Sequence, residues 1–122
     1  MPANGLILFA HGARDPRWAE PFESLAGRLR KAVPDQAVEL AYLELMQPDL
    51  DEAVVALLAC GCTRIRVVPV FLGQGGHVRR DLPALVDAIR SRRPGLHLDV
   101  MPSIGEDPAV LDAIAAYCLR VT

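Results

Sequence analysis

The chain lacks several features that define whole classes of protein. It has three cysteines, an odd and small number that argues against a disulfide framework, and 5% aromatic residues. No run of about 18 uncharged apolar residues occurs, so no membrane span is expected. The net charge of -2 gives no basic face for nucleic acid. Residues 1–4 lack the basic and apolar regions of a signal peptide, which predicts a cytoplasmic location.

Along the chain, patterns typical of strands alternate with patterns typical of helices. The 122 residues, 52% of them hydrophobic, fit one domain spanning 1–122. Apolar runs predict strands at 5–10, 38–45, 65–72 and 96–101, and a helical period follows each of them. Right-handed crossovers between such units predict an α/β fold, a three-layer αβα sandwich around a four-stranded parallel sheet.

Some positions carry more detailed expectations. Pro69 cannot donate to a sheet ladder, so it predicts a bulge or the end of pairing in the third strand. The fourth strand alternates apolar and polar residues, as an edge strand does. The last helix is expected to face the core through Val110, Leu111, Ile114 and Cys118. Cys60 and Cys62 are expected to pack a tight turn at the opposite end of the sheet from the residues considered next.

Three polar residues follow the first three strands. His11 comes after the first strand, Glu44 closes the second, and His77 follows the third through a glycine-rich loop. The carboxyl ends of parallel strands form one rim, where ligands bind in open α/β sheets. Two imidazoles and a carboxylate are ligands that borderline divalent metals accept. His97 begins the fourth strand, so it belongs to the opposite rim and serves as an internal control.

Arginines flank both histidines. Arg14 and Arg17 follow His11, and Arg79 and Arg80 follow His77. An acidic small-molecule partner would explain them. The alternative is a set of solvated arginines at helix starts, where cations oppose the helix dipole.

Other chemistries fit the motifs less well. The loop 73–77 has neither the dinucleotide fingerprint nor a P-loop lysine, and no nucleophile elbow occurs. A histidine phosphatase has an arginine before its nucleophile, whereas Ala10 precedes His11 here. A degenerate phosphatase, which would release phosphate without metal, stays open beside a metal-handling protein.

The ordered motifs resemble those of a known family. They are His11-Gly12-Ala13-Arg14-Asp15, Tyr42-Leu43-Glu44 with Gln47-Pro48, 67–73, and Gly76-His77 with Asp81-Leu82-Pro83. Together they are similar to the short-form CbiX-type sirohydrochlorin chelatases, the class II tetrapyrrole chelatases, over nearly the whole chain. Members commonly have Ser where Ala13 stands.

The resemblance implies insertion of a divalent metal, most often cobalt, into sirohydrochlorin on the route to cobalamin. Iron for sirohaem, nickel for another tetrapyrrole, or a non-catalytic metal or tetrapyrrole carrier are the alternatives. His11 and His77 would bind the metal and receive pyrrole protons, with Glu44 as ligand or base. The arginines would bind substrate carboxylates. No organic cofactor is implied, and short members act as homodimers.

Overall fold

The four strands form one parallel sheet. In this computed structural model the described residues are 3–122, with every side chain except that of His77. The strands are β1 Asn4–Ala10, β2 Ala37–Tyr42, β3 Arg64–Pro69 and β4 His97–Val100, in the order β2-β1-β3-β4. All three pairings are parallel. The predicted α/β sheet is therefore confirmed, and β4 is an edge strand as expected.

Four α-helices and two short 3₁₀ turns connect and follow the strands. The helices are α1 Glu20–Ala32, α2 Leu50–Ala59, α3 Gly76–Arg92 and α4 Pro108–Arg120, and the 3₁₀ turns are Pro16–Ala19 and Ile104–Glu106. Asp49 begins α2 with a reciprocal capping box to Glu52, which satisfies two backbone N–H groups. Gly61, at φ +90°, ends it in the left-handed conformation. Within 3–122, no helix has both the length and the apolarity needed to cross a membrane.

The main core lies on one face of the sheet. Ile7, Phe9, Ile65 and Val67 are buried there beneath α2 and α3. On the other face, α1 packs over β1 and β2 and covers a smaller cluster around Leu8. Burying each of these large aliphatic side chains contributes roughly 1.5–3 kcal/mol, so the two clusters hold the strand ends in fixed positions.

Several predicted boundaries were wrong by a few residues. β2 ends at Tyr42 rather than at 45, because residues 43–49 form a turn with a cis Gln47-Pro48 peptide. β3 ends at Pro69, which pairs in register with Phe9, so the proline marks the end of pairing. Gly76 and His77 belong to the first turn of α3 and not to the loop.

The expectation for the last helix was also wrong. Val110 is half-buried, whereas Leu111, Ile114 and Cys118 are exposed, and α4 buries no residue. The helix packs mainly against the short Ile104–Glu106 turn, and its Val110 borders a cavity that Val68 of β3 also lines. The sequence pattern identified the apolar face of α4 correctly, but within the described chain this face stays exposed.

Candidate functional site

The strand order creates a crevice at the carboxyl ends of β1 and β3. These strands are neighbours at the centre of the sheet, yet α1 packs on one face and α3 on the other. Chain segments leaving two adjacent parallel strands in opposite directions open a crevice between them, which is where ligands bind in such sheets. His11 follows β1, and His77 lies in the first turn after the β3 loop. The sequence prediction that both belong to one rim is consistent with this topology.

His11 and Glu44 are in direct contact across this rim. The His11 Nε2 atom lies 2.9 Å from Glu44 Oε1, and the two side chains are 44% and 45% exposed. An exposed pair of this kind contributes at most about 1 kcal/mol, so the backbone must do most of the positioning. The Glu44 N–H donates to the His11 carbonyl at 3.1 Å, and the Leu43 N–H donates to the Ala10 carbonyl at 2.9 Å. An imidazole and a carboxylate are thereby held together facing solvent.

Gly12 allows the two loops to approach this closely. Its φ is +96°, and a Cβ placed there would lie 3.0 Å from the Glu44 carbonyl carbon and far inside contact with its oxygen. The sequence indicated only that glycine lets the chain leave β1 sharply. The structure adds that the missing side chain makes room for Glu44.

The turn after β2 presents an apolar residue that the sequence did not single out. Leu45 has φ +67°, a conformation rare for a branched side chain, and is 58% exposed. The Tyr42 N–H donates to the Pro48 carbonyl at 2.9 Å and closes this turn. Leu72, in the loop after β3, is also exposed at the same rim. The sequence pattern placed both leucines at the ends of predicted strands. In the structure they lie beyond the last paired residues, at the rim.

An aromatic cluster supports the rim from below. The Trp18 ring lies 4.6 Å from Phe22 and 6.3 Å from Tyr42, measured between centroids. Burial raises the pKa of Tyr42, and the nearby negative charge of Glu23 raises it further. Tyr42 is therefore a neutral packing residue over the physiological range and not a proton acceptor.

The loop between β3 and α3 is fastened to the chain after β4. The Gln74 side-chain amide donates to the Ser103 hydroxyl, and the Gly105 N–H donates to the Phe71 carbonyl at 3.0 Å. This fixes where α3, and with it the backbone of His77, begins. The predicted ligand role of the His77 side chain lies outside the described residues.

The four predicted substrate-binding arginines are all exposed, and they differ in their partners. Arg17 donates to the Asp15 carboxylate, with its Nη2 at 2.9 Å, and this guanidinium and the Arg17 backbone N–H lower the pKa of Asp15. Arg80 Nε donates to the Gly76 carbonyl at 3.2 Å. Arg14 lies three residues after His11, and Arg79 borders a cavity of ≈ 340 Å³ between α3 and β4. Arg17 is thus partly neutralised, which makes it the weakest of the four candidates for binding an anion.

The side chains that the structure describes do not include a group of three potential metal ligands. His11 and Glu44 supply two. His97, the internal control, pairs with Arg64 at the amino-terminal end of the sheet, as predicted. Cys60 and Cys62 lie in the turn at that same end of the sheet, so these thiols are remote from the His11–Glu44 pair. Burial raises the pKa of the Cys62 thiol. A two-ligand, solvent-facing pair holds a metal weakly and leaves coordination positions open for another ligand.

Two solved structures share the fold of this chain. A CbiX protein from Marinobacter aquaeolei is 33% identical, with a TM-score of 0.84 covering 96% of this chain and 95% of that one. The sirohydrochlorin chelatase SirB from Bacillus subtilis, solved in complex with cobalt, is 24% identical with a TM-score of 0.83. The match covers 99% of this chain but 51% of SirB. At 24% identity, the likeness to SirB shows a shared fold.

Curated relatives share part of their length with this chain. The sirohydrochlorin cobaltochelatase of Saccharolobus solfataricus is 39% identical over 82 residues, which is 67% of this chain and 62% of that protein. The enzyme of the same name from Methanopyrus kandleri is 35% identical over 81 residues, 66% of this chain and 57% of that protein. The chain thus spans about three-fifths of the length of these relatives. The CbiX family model matches residues 5–119, and the chain belongs to the CbiX family.

Proposed function

We propose that this protein is a chelatase that inserts a divalent metal, most often cobalt, into sirohydrochlorin. The observation that carries the proposal is the His11–Glu44 contact at the carboxyl-end rim, at 2.9 Å, in a chain of the CbiX family. Relatives named sirohydrochlorin cobaltochelatase support the choice of substrate and metal. The enzyme is a metal-insertion lyase in which the metal is substrate.

Each rim residue has a role that follows from its chemistry. His11 receives the incoming metal and, as the metal passes to the macrocycle, a pyrrole proton. Glu44 orients the His11 ring through the Nε2 contact. Its carboxylate provides either an oxygen ligand for the metal or a base. His77 is proposed as the ligand across the crevice, from the start of α3. An open set of imidazole and carboxylate ligands releases a metal to a better macrocyclic ligand, whereas a closed thiolate site would retain it.

The rim also has surfaces suited to a flat, acidic macrocycle. Leu45 and Leu72 are exposed at the carboxyl-end rim, where apolar area is suited to contact a ring face. Arg14, Arg79 and Arg80 are proposed to bind peripheral carboxylates, with Arg17 contributing less because Asp15 already holds it. A single rim gives one wall, so we propose that the module 1–122 acts as a homodimer. The cytoplasmic location predicted from residues 1–4 stays a prediction.

The test is metal insertion followed by absorption spectroscopy. Purified protein is mixed with sirohydrochlorin and Co²⁺, and the rate is compared with that of the spontaneous reaction. His11→Ala and Glu44→Gln should each lower the rate, His11→Ala by about 100-fold or more, the contribution typical of a positioned acid–base group. His97→Ala, on the opposite rim, is the matched control and should keep the full rate.

Two outcomes would contradict the proposal. Insertion no faster than the spontaneous rate, combined with tight binding of metal or tetrapyrrole, would indicate the carrier instead. Equal losses in the His11 and His97 variants would remove the rim from the mechanism. Parallel assays with Ni²⁺ and Fe²⁺ decide among the metals, since all three accept nitrogen and oxygen ligands.

A further inference from the structure

One five-residue pattern follows both central strands of the sheet. His-x-x-Arg-Asp spans residues 11–15 after β1 and residues 77–81 after the β3 loop. In each copy an aspartate comes four residues after a histidine that is proposed to bind metal. The two copies differ in local structure, and this difference decides what each aspartate can contact.

In the first copy, the aspartate is bonded to the chain that follows it. Asp15 accepts a hydrogen bond from the Arg17 N–H at 3.0 Å, caps the Pro16–Ala19 turn and is bridged by the Arg17 guanidinium at 2.9 Å. His11 lies before this turn and outside any helix, so no helical geometry brings it over Asp15. Glu44, from the neighbouring loop, is the carboxylate that contacts the His11 ring.

In the second copy, the same spacing falls inside a helix. α3 runs over Gly76–Arg92, so positions 77 and 81 lie about one turn apart on the same side of it. Side chains at this spacing are neighbours on a helix, with Cβ atoms roughly 5–6 Å apart. The helix therefore makes Asp81 the neighbour of position 77, which no loop conformation at residues 11–15 does for Asp15.

Helix capping does not account for the Asp81 carboxylate. The residue before α3 is Gly75, and the first turn of the helix contains no acidic residue. Asp81 is the sixth residue of α3, beyond the first turn, where the attraction of the helix amino end for negative charge has fallen off. Its carboxylate must be explained by a side-chain neighbour.

The helix offers Asp81 one polar neighbour. Four residues lie three or four positions away along α3: His77, Val78, Ala84 and Leu85. Three of these are apolar, so only the histidine can bond to a carboxylate. Asp81 is half-buried, whereas Arg80 beside it is exposed and donates to the Gly76 carbonyl at 3.2 Å. Partial burial of a carboxylate costs free energy that a hydrogen-bonding partner offsets.

The other charged side chains at this end of α3 lie on a different flank of the helix. Arg79, Asp87 and Arg90 border the ≈ 340 Å³ cavity beside β4. At 3.6 residues per turn, positions 79, 87 and 90 are rotated roughly 120–180° around the helix axis from position 81. Asp87 therefore shares the helix and the charge of Asp81 but not its neighbour, which makes it a matched control.

We propose that Asp81 is a positioning residue for His77: its carboxylate accepts a hydrogen bond from one ring nitrogen and leaves the other nitrogen to bind the incoming metal. The inference rests on the chelatase function and on the His77 ligand role proposed above. Metal-ligating histidines almost always donate their second ring N–H to an oxygen, which fixes the tautomer and the ring orientation. Each histidine of the rim then has a carboxylate neighbour, His11 through a loop contact and His77 through its helix.

Binding of Co²⁺ to the protein alone, measured by isothermal titration calorimetry, tests this role. Asp81→Ala should weaken binding about 10–100-fold, the loss typical of removing the outer partner of a metal ligand. Asp81→Asn keeps an oxygen that can accept the ring N–H, so it should recover part of the affinity. Asp87→Ala should bind Co²⁺ as tightly as the wild type, because Asp87 is 75% exposed on the other flank.

A double-mutant cycle shows whether Asp81 acts through His77. In the His77→Ala background, Asp81→Ala should cause no further loss of Co²⁺ affinity, because two residues that act through one contact are not additive. In the His11→Ala background it should cause its full loss. Circular dichroism and thermal melting verify that each variant is folded. Equal losses in the wild-type and His77→Ala backgrounds, or no loss in either, would overturn the proposal.

Nuclear magnetic resonance supplies a readout that needs no metal. At about pH 8, where a free imidazole is neutral, the ring-nitrogen shifts of His77 should indicate one predominant tautomer in the wild type and a mixture in Asp81→Ala. A tautomer ratio that does not change would overturn the role of Asp81.

Rates of cobalt insertion by the same proteins keep the two proposals apart. Insertion by the wild type, together with a tautomer ratio that is independent of Asp81, rejects only the positioning role. A tautomer and a Co²⁺ affinity that both depend on Asp81, in a protein that inserts no metal, reject only the chelatase.

Discussion

Gly12 is the position where a single methyl group should separate His11 from Glu44. An alanine Cβ would lie 3.0 Å from the Glu44 carbonyl carbon and would overlap the carbonyl oxygen. Carbon–oxygen contacts normally exceed about 3.3 Å. The Glu44 turn must therefore move by roughly 1 Å or more. A displacement of about 1 Å at a reacting group costs on the order of 100-fold in rate.

The stability cost can be estimated from the same geometry. Alanine at φ +96° costs about 1–2 kcal/mol. Moving the turn breaks the hydrogen bonds from the Glu44 and Leu43 N–H groups, at about 1 kcal/mol each. We expect Gly12→Ala to lower the free energy of unfolding by about 3–4 kcal/mol, measured by urea denaturation, and to lower metal insertion about 100-fold in conditions where the variant is folded.

The same substitution elsewhere supplies the control. Gly27 lies inside α1 with nothing within 4 Å of a built Cβ. Gly27→Ala should stabilise the protein by about 0.5–1 kcal/mol, because alanine is the better helix former, and should leave the insertion rate unchanged. A Gly12→Ala protein with wild-type stability and rate would refute the idea that close approach of the two loops assembles the site.

Three further predictions follow from local chemistry. Mass-spectrometric labelling with a thiol reagent near pH 8 should modify Cys60 faster than Cys62, whose raised pKa leaves less thiolate; equal rates would contradict this. Because Arg17 lowers the pKa of folded Asp15, the carboxylate stabilises the fold above its unfolded pKa of about 4 and loses this effect as pH falls through the folded value. The difference in melting temperature between wild type and Asp15→Asn should therefore be present at pH 7 and shrink in acid. Leu45→Asn should keep or increase stability, by up to about 1 kcal/mol, because Asn tolerates positive φ. The same substitution should weaken tetrapyrrole binding measured by fluorescence titration, and tighter binding would show that Leu45 does not contact the macrocycle.

The parallel sheet and the residues that follow its strands were accessible from sequence, because they depend on local patterns and on the handedness of crossovers. The apolar run at 5–10 needed only to be recognised as a strand buried on both faces, and His11 then had to follow its carboxyl end. Pro69 was informative for the same reason, since the missing N–H limits where a ladder can continue. Each of these inferences concerns a single strand and its ends.

The contacts within the site were not accessible in this way. Nothing in the sequence around Glu44 indicates that residues 43–49 leave the sheet, that Leu45 takes φ +67°, or that Gly12 makes room for the Glu44 carbonyl. These features arise where two loops meet, and the geometry of each loop depends on the other. Sequence spacing predicted which residues share the rim, while the 2.9 Å contact between two of them required the fold.

The last helix fails for a different and more instructive reason. The spacing of Leu111, Ile114 and Cys118 correctly marks an apolar face, but periodicity contains no information about which chain supplies the opposing surface. A helix that packs on its own sheet and a helix that stays exposed can have the same sequence pattern, because the apolar face is the same in both. The exposure of the apolar face of α4 is therefore a property of how the folded chain packs, which the spacing of its residues does not contain.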